Sequence, residues 1–115
     1  MSPRDTRLRL ADILSSVEAI LSYTERMSKE EFVKDRKTVD AVIRNFEIVG
    51  EASAHIPDAI QAQYPEVPWR DMYDMRNVLA HEYFGVSLNI VWKTIQEELL
   101  PLVTQLRSIL DTPEQ

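Results

Sequence analysis

Apolar residues recur every three or four positions along most of this chain. Leu10, Ile13/Leu14, Val17, Ile20/Leu21 and Tyr23/Thr24 form the first stripe. The spacing predicts an amphipathic helix over roughly residues 4–26. Ser28-Lys29-Glu30-Glu31 then reads as a capping box, Ser28 at the N-cap and Glu31 at N3, with a short helix starting there. Val39, Val42/Ile43, Phe46, Val49, Ser53 and Ile56 mark a second long helix, roughly 36–55. Gly50, Ala52 and Ala54 make that helix thin near its end, where another backbone can come close.

Pro57 stops the pattern, and Pro57-Asp58-Ala59 opens a single short turn. Tyr64-Pro65-Glu66-Val67-Pro68 is a proline-punctuated connection. A third helix follows over roughly 69–83, with Trp69, Met72, Met75/Arg76 and Leu79 facing inward and Gly85 as its stop. Ser87 or Asn89 caps a last helix whose stripe is Leu88, Val91/Trp92, Ile95, Leu99, Leu102, Leu106 and Ile109/Leu110. Pro101 falls inside that stripe and should kink it. No period-2 run is long enough for a strand. The pattern describes an all-α, up-and-down bundle of about four long helices plus short helical turns.

Composition agrees. The chain has 115 residues, one domain's worth, so residues 1–115 read as a single domain. Two glycines are too few for a turn-rich β-sandwich or barrel. There is no cysteine, which excludes disulfides and Cys-based zinc sites and fits a reducing compartment. The early arginines, Arg4, Arg7 and Arg9, are not followed by an apolar signal-like run, and no stretch approaches a membrane span. A cytoplasmic protein is expected.

Charge narrows the choice of partners. The net charge is −6, which argues against coating nucleic acid by charge alone. A nucleic-acid substrate would have to be held by a few placed cations in a cleft.

Candidate chemistry is sparse. There is no Gly-rich phosphate loop, no nucleophile elbow and no metal-ligand spacing; the two histidines, His55 and His81, sit in different predicted helices. No metal or cofactor is expected. What remains is Arg76-Asn77-Val78-Leu79-Ala80-His81-Glu82-Tyr83. Arginine is a permanent cation whose fork matches phosphate oxygens. Histidine exchanges a proton near neutral pH. The two suffice for metal-free RNA cleavage: His81 moves a proton at the ribose 2′-oxygen or the leaving oxygen, and Arg76 stabilises the phosphorane. On a regular helix, however, positions five apart differ by about 140° around the axis. Arg76 shares a face with Ala80 and Tyr83; Asn77 shares another with His81 and Phe84. Either the helix distorts near Gly85, or a twofold dimer brings the two residue types into one groove. The second is favoured, and a homodimer is expected.

The plainer readings are surface residues for Arg76 and His81, and core aromatics for Tyr83 and Phe84. Against them stands a resemblance. Arg76 to Tyr83 is similar to the R-x-x-x-x-H-x-Y motif of the HepT-like proteins, within the HEPN superfamily of helical domains. Asp40 to Ala52, ending Gly50-Glu51-Ala52, resembles that family's second-helix signature. Pro68-Trp69-Arg70 before the motif, and Val91-Trp92 through Leu99-Leu100-Pro101-Leu102 after it, are also similar. The likeness runs from about residue 8 to 110.

The resemblance implies a HEPN-like helical homodimer whose Arg and His line a cleft between protomers. It implies an endoribonuclease that needs no metal, the toxin of a type VII toxin–antitoxin pair. The cognate antitoxin would be a minimal nucleotidyltransferase that transfers AMP from ATP to Tyr83. Arg76 and His81 then become the catalytic pair and Tyr83 the modification site. Asn77 would bond a phosphate oxygen or orient His81, its i+4 neighbour. Arg44 and Asn45 on the second helix would extend the RNA cleft, or are a helix-surface pair. Glu47 and Glu51 tune His81, pair with Arg44 or with the partner's Arg76, or face solvent. Trp69 and Trp92 read as core rather than as base-stacking surfaces. The competing functions are a non-enzymatic subunit of a two-part nucleotidyltransferase, which binds nucleotide or positions its partner, and an interaction scaffold.

Overall fold

The computed structural model describes residues 2–81 and 87–112, with the backbone alone for residues 76–81. The described residues form six α-helices: α1 (Pro3–Thr24), α2 (Lys29–Lys34), α3 (Arg36–Ala54), α4 (Asp58–Gln63), α5 (Trp69–His81) and α6 (Leu88–Asp111). No strand occurs among them. The all-α bundle of four long helices and short helical pieces is the architecture the apolar spacing predicts.

Local chemistry sets the helix boundaries. Pro3 occupies the first turn of α1, where its missing N–H costs nothing. Ser2 caps it: the Asp5 N–H donates to Ser2 Oγ at 3.1 Å, and the Ser2 N–H donates back to Asp5 at 3.4 Å. The box expected at Ser28 is complete, with both reciprocal bonds formed, at 3.1 and 2.9 Å. Asp35 ends α2 and begins α3. Its N–H donates to the Phe32 carbonyl, and its carboxylate accepts from the Thr38 N–H at 3.1 Å and the Thr38 hydroxyl at 2.9 Å. Ser87, not Asn89, caps α6.

The boundaries shift modestly from those the pattern predicts. The short turn after Pro57 is a six-residue helix, because Ile60 packs against the core and gives the segment an apolar anchor. α6 continues through Pro101 without a break; Pro101 lies on the solvent side, with Leu99 and Leu102 buried beside it. The expected stop at Gly85 and the end of α5 beyond His81 lie outside the described residues.

One apolar core joins the long helices. α3 packs against α1 and α5, and α1 also packs against α6. Gly50, Ala52 and Ser53 are buried in the thin stretch of α3, where a larger side chain would hold a neighbour away. Ser53 satisfies its hydroxyl on the Val49 carbonyl at 2.6 Å. The connection into α5 is pinned at three points. The Trp69 indole N–H donates to the Tyr64 carbonyl at 2.9 Å, Val67 is buried, and the Gln105 amide of α6 donates to the Glu66 carbonyl at 3.1 Å. These contacts fix where the helix carrying Arg76 and His81 begins.

Candidate active site

The motif begins inside α5. Trp69 and Met72 bury the N-terminal half of that helix against the core, at 7% and 6% exposure, and Met75 packs beside them. Trp69 is thus core, as the sequence pattern indicated. Trp92 is core too: it half-buries and tilts against Phe32, ring centroids 5.3 Å apart. Arg76, Asn77 and His81 follow on the same helix, which is α-helical through His81. Helical rotation over five residues therefore separates Arg76 from His81 by about 140°. Tyr83 lies outside the described residues.

Arg44 and Asn45 sit mid-way along α3. Arg44 is exposed, and its guanidinium lies 3.6 Å from Glu47. Such a pair on a wet surface is weak, so the guanidinium can leave it for a phosphate at small cost. Asn45 is half-buried, and its amide nitrogen donates to the Ala41 carbonyl at 2.9 Å. That leaves its second amide hydrogen and its carbonyl oxygen as the groups able to meet a ligand. Glu51 lies 3.7 Å from His55, one turn on.

The sequence pattern did not show that Arg44, Glu47 and Glu51 face α1. Together with Arg9 and Asp12 of α1, and with Ile48 and Ala52, they line a cleft of about 480 Å³. A second, smaller cavity of about 100 Å³ is mostly apolar. Phe46 and Val49 of α3, Met72 and Met75 of α5, and Leu99 and Leu102 of α6 supply its walls, with Asp71, Thr94 and Glu98 at its edge. Neither cleft has a signal in a linear sequence, since each needs two polar or apolar helix faces to meet. No three His, Asp or Glu side chains gather into a metal-holding group among the described residues.

Comparison with known proteins decides the family. The ribonuclease HepT-like family matches residues 13–109. This chain belongs to it. A protein of Thermococcus cleftensis named "Probable ribonuclease HepT" is 46% identical over 90 residues, covering 78% of this chain and 82% of the other. A "Putative RNase" of Methanocaldococcus jannaschii is 36% identical over 115 residues, 100% of this chain and 99% of that one. A "Putative RNase" of Caldanaerobacter subterraneus subsp. tengcongensis is 39% identical over 101 residues, 88% of this chain and 90% of its own. No solved structure matches the chain. No described helix is long and apolar enough to cross a membrane.

Proposed function

We propose that this chain is a HepT-like endoribonuclease toxin, acting as one domain, whose Arg76 and His81 cut RNA in a cleft shared by two copies. The observation that carries the reading is the intact Arg76, His81 and Tyr83 motif within a family match spanning most of the chain. The separation of Arg76 and His81 around α5 supports a shared cleft, because a second copy supplies the missing member to each side.

The reaction needs no external nucleophile. One His81 takes the proton from the 2′-hydroxyl, whose oxygen attacks the adjacent phosphorus. The P–O5′ bond breaks, and the leaving 5′-oxygen takes a proton from the imidazolium of the other His81. The products are a 2′,3′-cyclic phosphate and a 5′-hydroxyl. Arg76 meets the charge that builds on the non-bridging oxygens, where a fixed donor is worth most. Asn77 holds a phosphate oxygen or orients His81, and Arg44 and Asn45 extend the cleft.

Regulation follows from the same groove. A minimal nucleotidyltransferase antitoxin would transfer AMP from ATP to the Tyr83 oxygen, releasing pyrophosphate. The added phosphate and base would fill the cleft and repel the RNA backbone.

The test uses protein never exposed to a nucleotidyltransferase. Wild-type protein should sediment as a dimer and cut RNA in the presence of a chelator. His81→Ala should lose on the order of 10²–10⁴-fold in rate, and Arg76→Ala on the order of 10²–10³-fold, with the dimer intact. Intact RNA under wild-type protein, together with nucleotide binding, would instead assign the chain as a non-enzymatic nucleotidyltransferase subunit.

A further inference from the structure

The aromatic side chains divide sharply by burial. Phe32, Phe46 and Trp69 are buried, while Tyr64 and Trp92 pack against the core. That leaves Tyr23 on α1 and Tyr73 on α5 as the exposed rings among the described residues, at 48% and 41% exposure. The core does not need Tyr73, and no described residue hydrogen-bonds its hydroxyl.

Its position on α5 is specific. Relative to Tyr73, Arg76 lies about 60° to one side of the helix and His81 about 80° to the other. Tyr73 therefore falls in the sector that the two motif residues bound. Asn77 and Ala80 lie in that same sector. Along the axis, Tyr73 precedes His81 by about 12 Å. That is the length of roughly three stacked nucleotides at about 3.4 Å per step.

Resting on the reading of Arg76 and His81 as the cutting pair, we infer that Tyr73 is a substrate-positioning residue: its ring stacks on a base two or three nucleotides from the scissile phosphate. The chemistry suits an acidic protein. With a net charge of −6, attraction to the phosphate backbone is weak. Stacking needs no positive charge, and every base offers a face. Arg70, one turn earlier on the same helix, lies 3.5 Å from Asp74.

The test measures binding of a short single-stranded RNA of mixed sequence to His81→Ala protein, which holds the strand uncut. Adding Tyr73→Ala should weaken binding on the order of tenfold, and adding Tyr73→Phe should not. A series of strands, each abasic at one position, supplies the reading that a structural role would not move. One abasic position should weaken binding by a similar factor, and on that strand Tyr73→Ala should cost nothing more. Unchanged binding in Tyr73→Ala overturns the inference. So does a loss that persists on every abasic strand, or a loss that tracks dissociation of the dimer. Failure of the wild-type chain to cut RNA would sink the ribonuclease reading itself; cutting by wild-type protein with Tyr73 irrelevant to binding sinks only this inference.

Discussion

Asp35 does two jobs with one residue, and only one of them depends on its charge. Its N–H closes α2 on the Phe32 carbonyl; its carboxylate opens α3. The Thr38 N–H, with the Thr38 hydroxyl second, favours the ionised form and holds the carboxyl below its ordinary value of 3.8. A group whose folded pKa is lowered lends stability at pH above its unfolded value. That stability is lost as pH falls through the folded pKa. We expect the thermal midpoint to drop below about pH 3.8, and Asp35→Asn, which caps without titrating, to flatten that part of the curve. Circular-dichroism melts across pH check this; an unchanged profile in Asp35→Asn would remove Asp35 as the source. The cap was readable in principle, since Asp35 stands three residues before Thr38 just ahead of an apolar stripe. Among the site residues, sequence alone placed Arg76, Asn77 and His81 on one helix. It did not show that Arg44 leans on Glu47 or that one Asn45 amide hydrogen is given to the Ala41 carbonyl.

At the scale of elements, the six residues of α2 show how little local propensity decides. A helix of that length is unstable alone, even with a full capping box. Its anchor is Phe32, fully buried and tilted against Trp92 of α6. Phe32→Ala should therefore cost about 3–5 kcal/mol, measured by urea unfolding. A cost near 1 kcal/mol, the worth of a cap alone, would mean that the ring is not the anchor. The long helices were legible because each carries its own apolar stripe. α4 was underestimated because its one apolar contact, Ile60, acts through tertiary packing. Pro101 lies on the solvent side of α6, and the helix runs on through it.

For the whole molecule, the charge balance becomes a statement about how RNA is held. Few cations are placed to meet phosphates, and Arg44, Arg70 and Arg107 each have a carboxylate close by. If RNA is gripped chiefly by stacking and by one or two arginines per copy, binding should fade only gently with salt. With two copies sharing the cleft, we expect log K against log[salt] to fall with a slope between about −1.4 and −3 for a single strand. A slope several times steeper, from a fluorescence titration over a range of salt, would point to a broad basic track that the described surface does not display. The order of the helices along the chain was legible; which faces meet was not, because the α1–α3 cleft forms only when two polar faces are brought together.

The fold also joins its own two ends. The Arg7 guanidinium of α1 donates to the carbonyls of Leu110 and Thr112, the latter at 2.9 Å, at the exit of α6. Residues about a hundred positions apart in the chain are thus neighbours in space. The order in which the helices are strung is therefore not what the bundle requires. A short bridge from Thr112 back to the start of α1, with the chain opened instead between Gln63 and Tyr64, would keep Tyr64 to Pro68 on α5 with the contacts that hold its start. It would also put both new ends beside the start of the motif helix. Circular permutation is thus a way to attach a label or a tethered RNA next to α5.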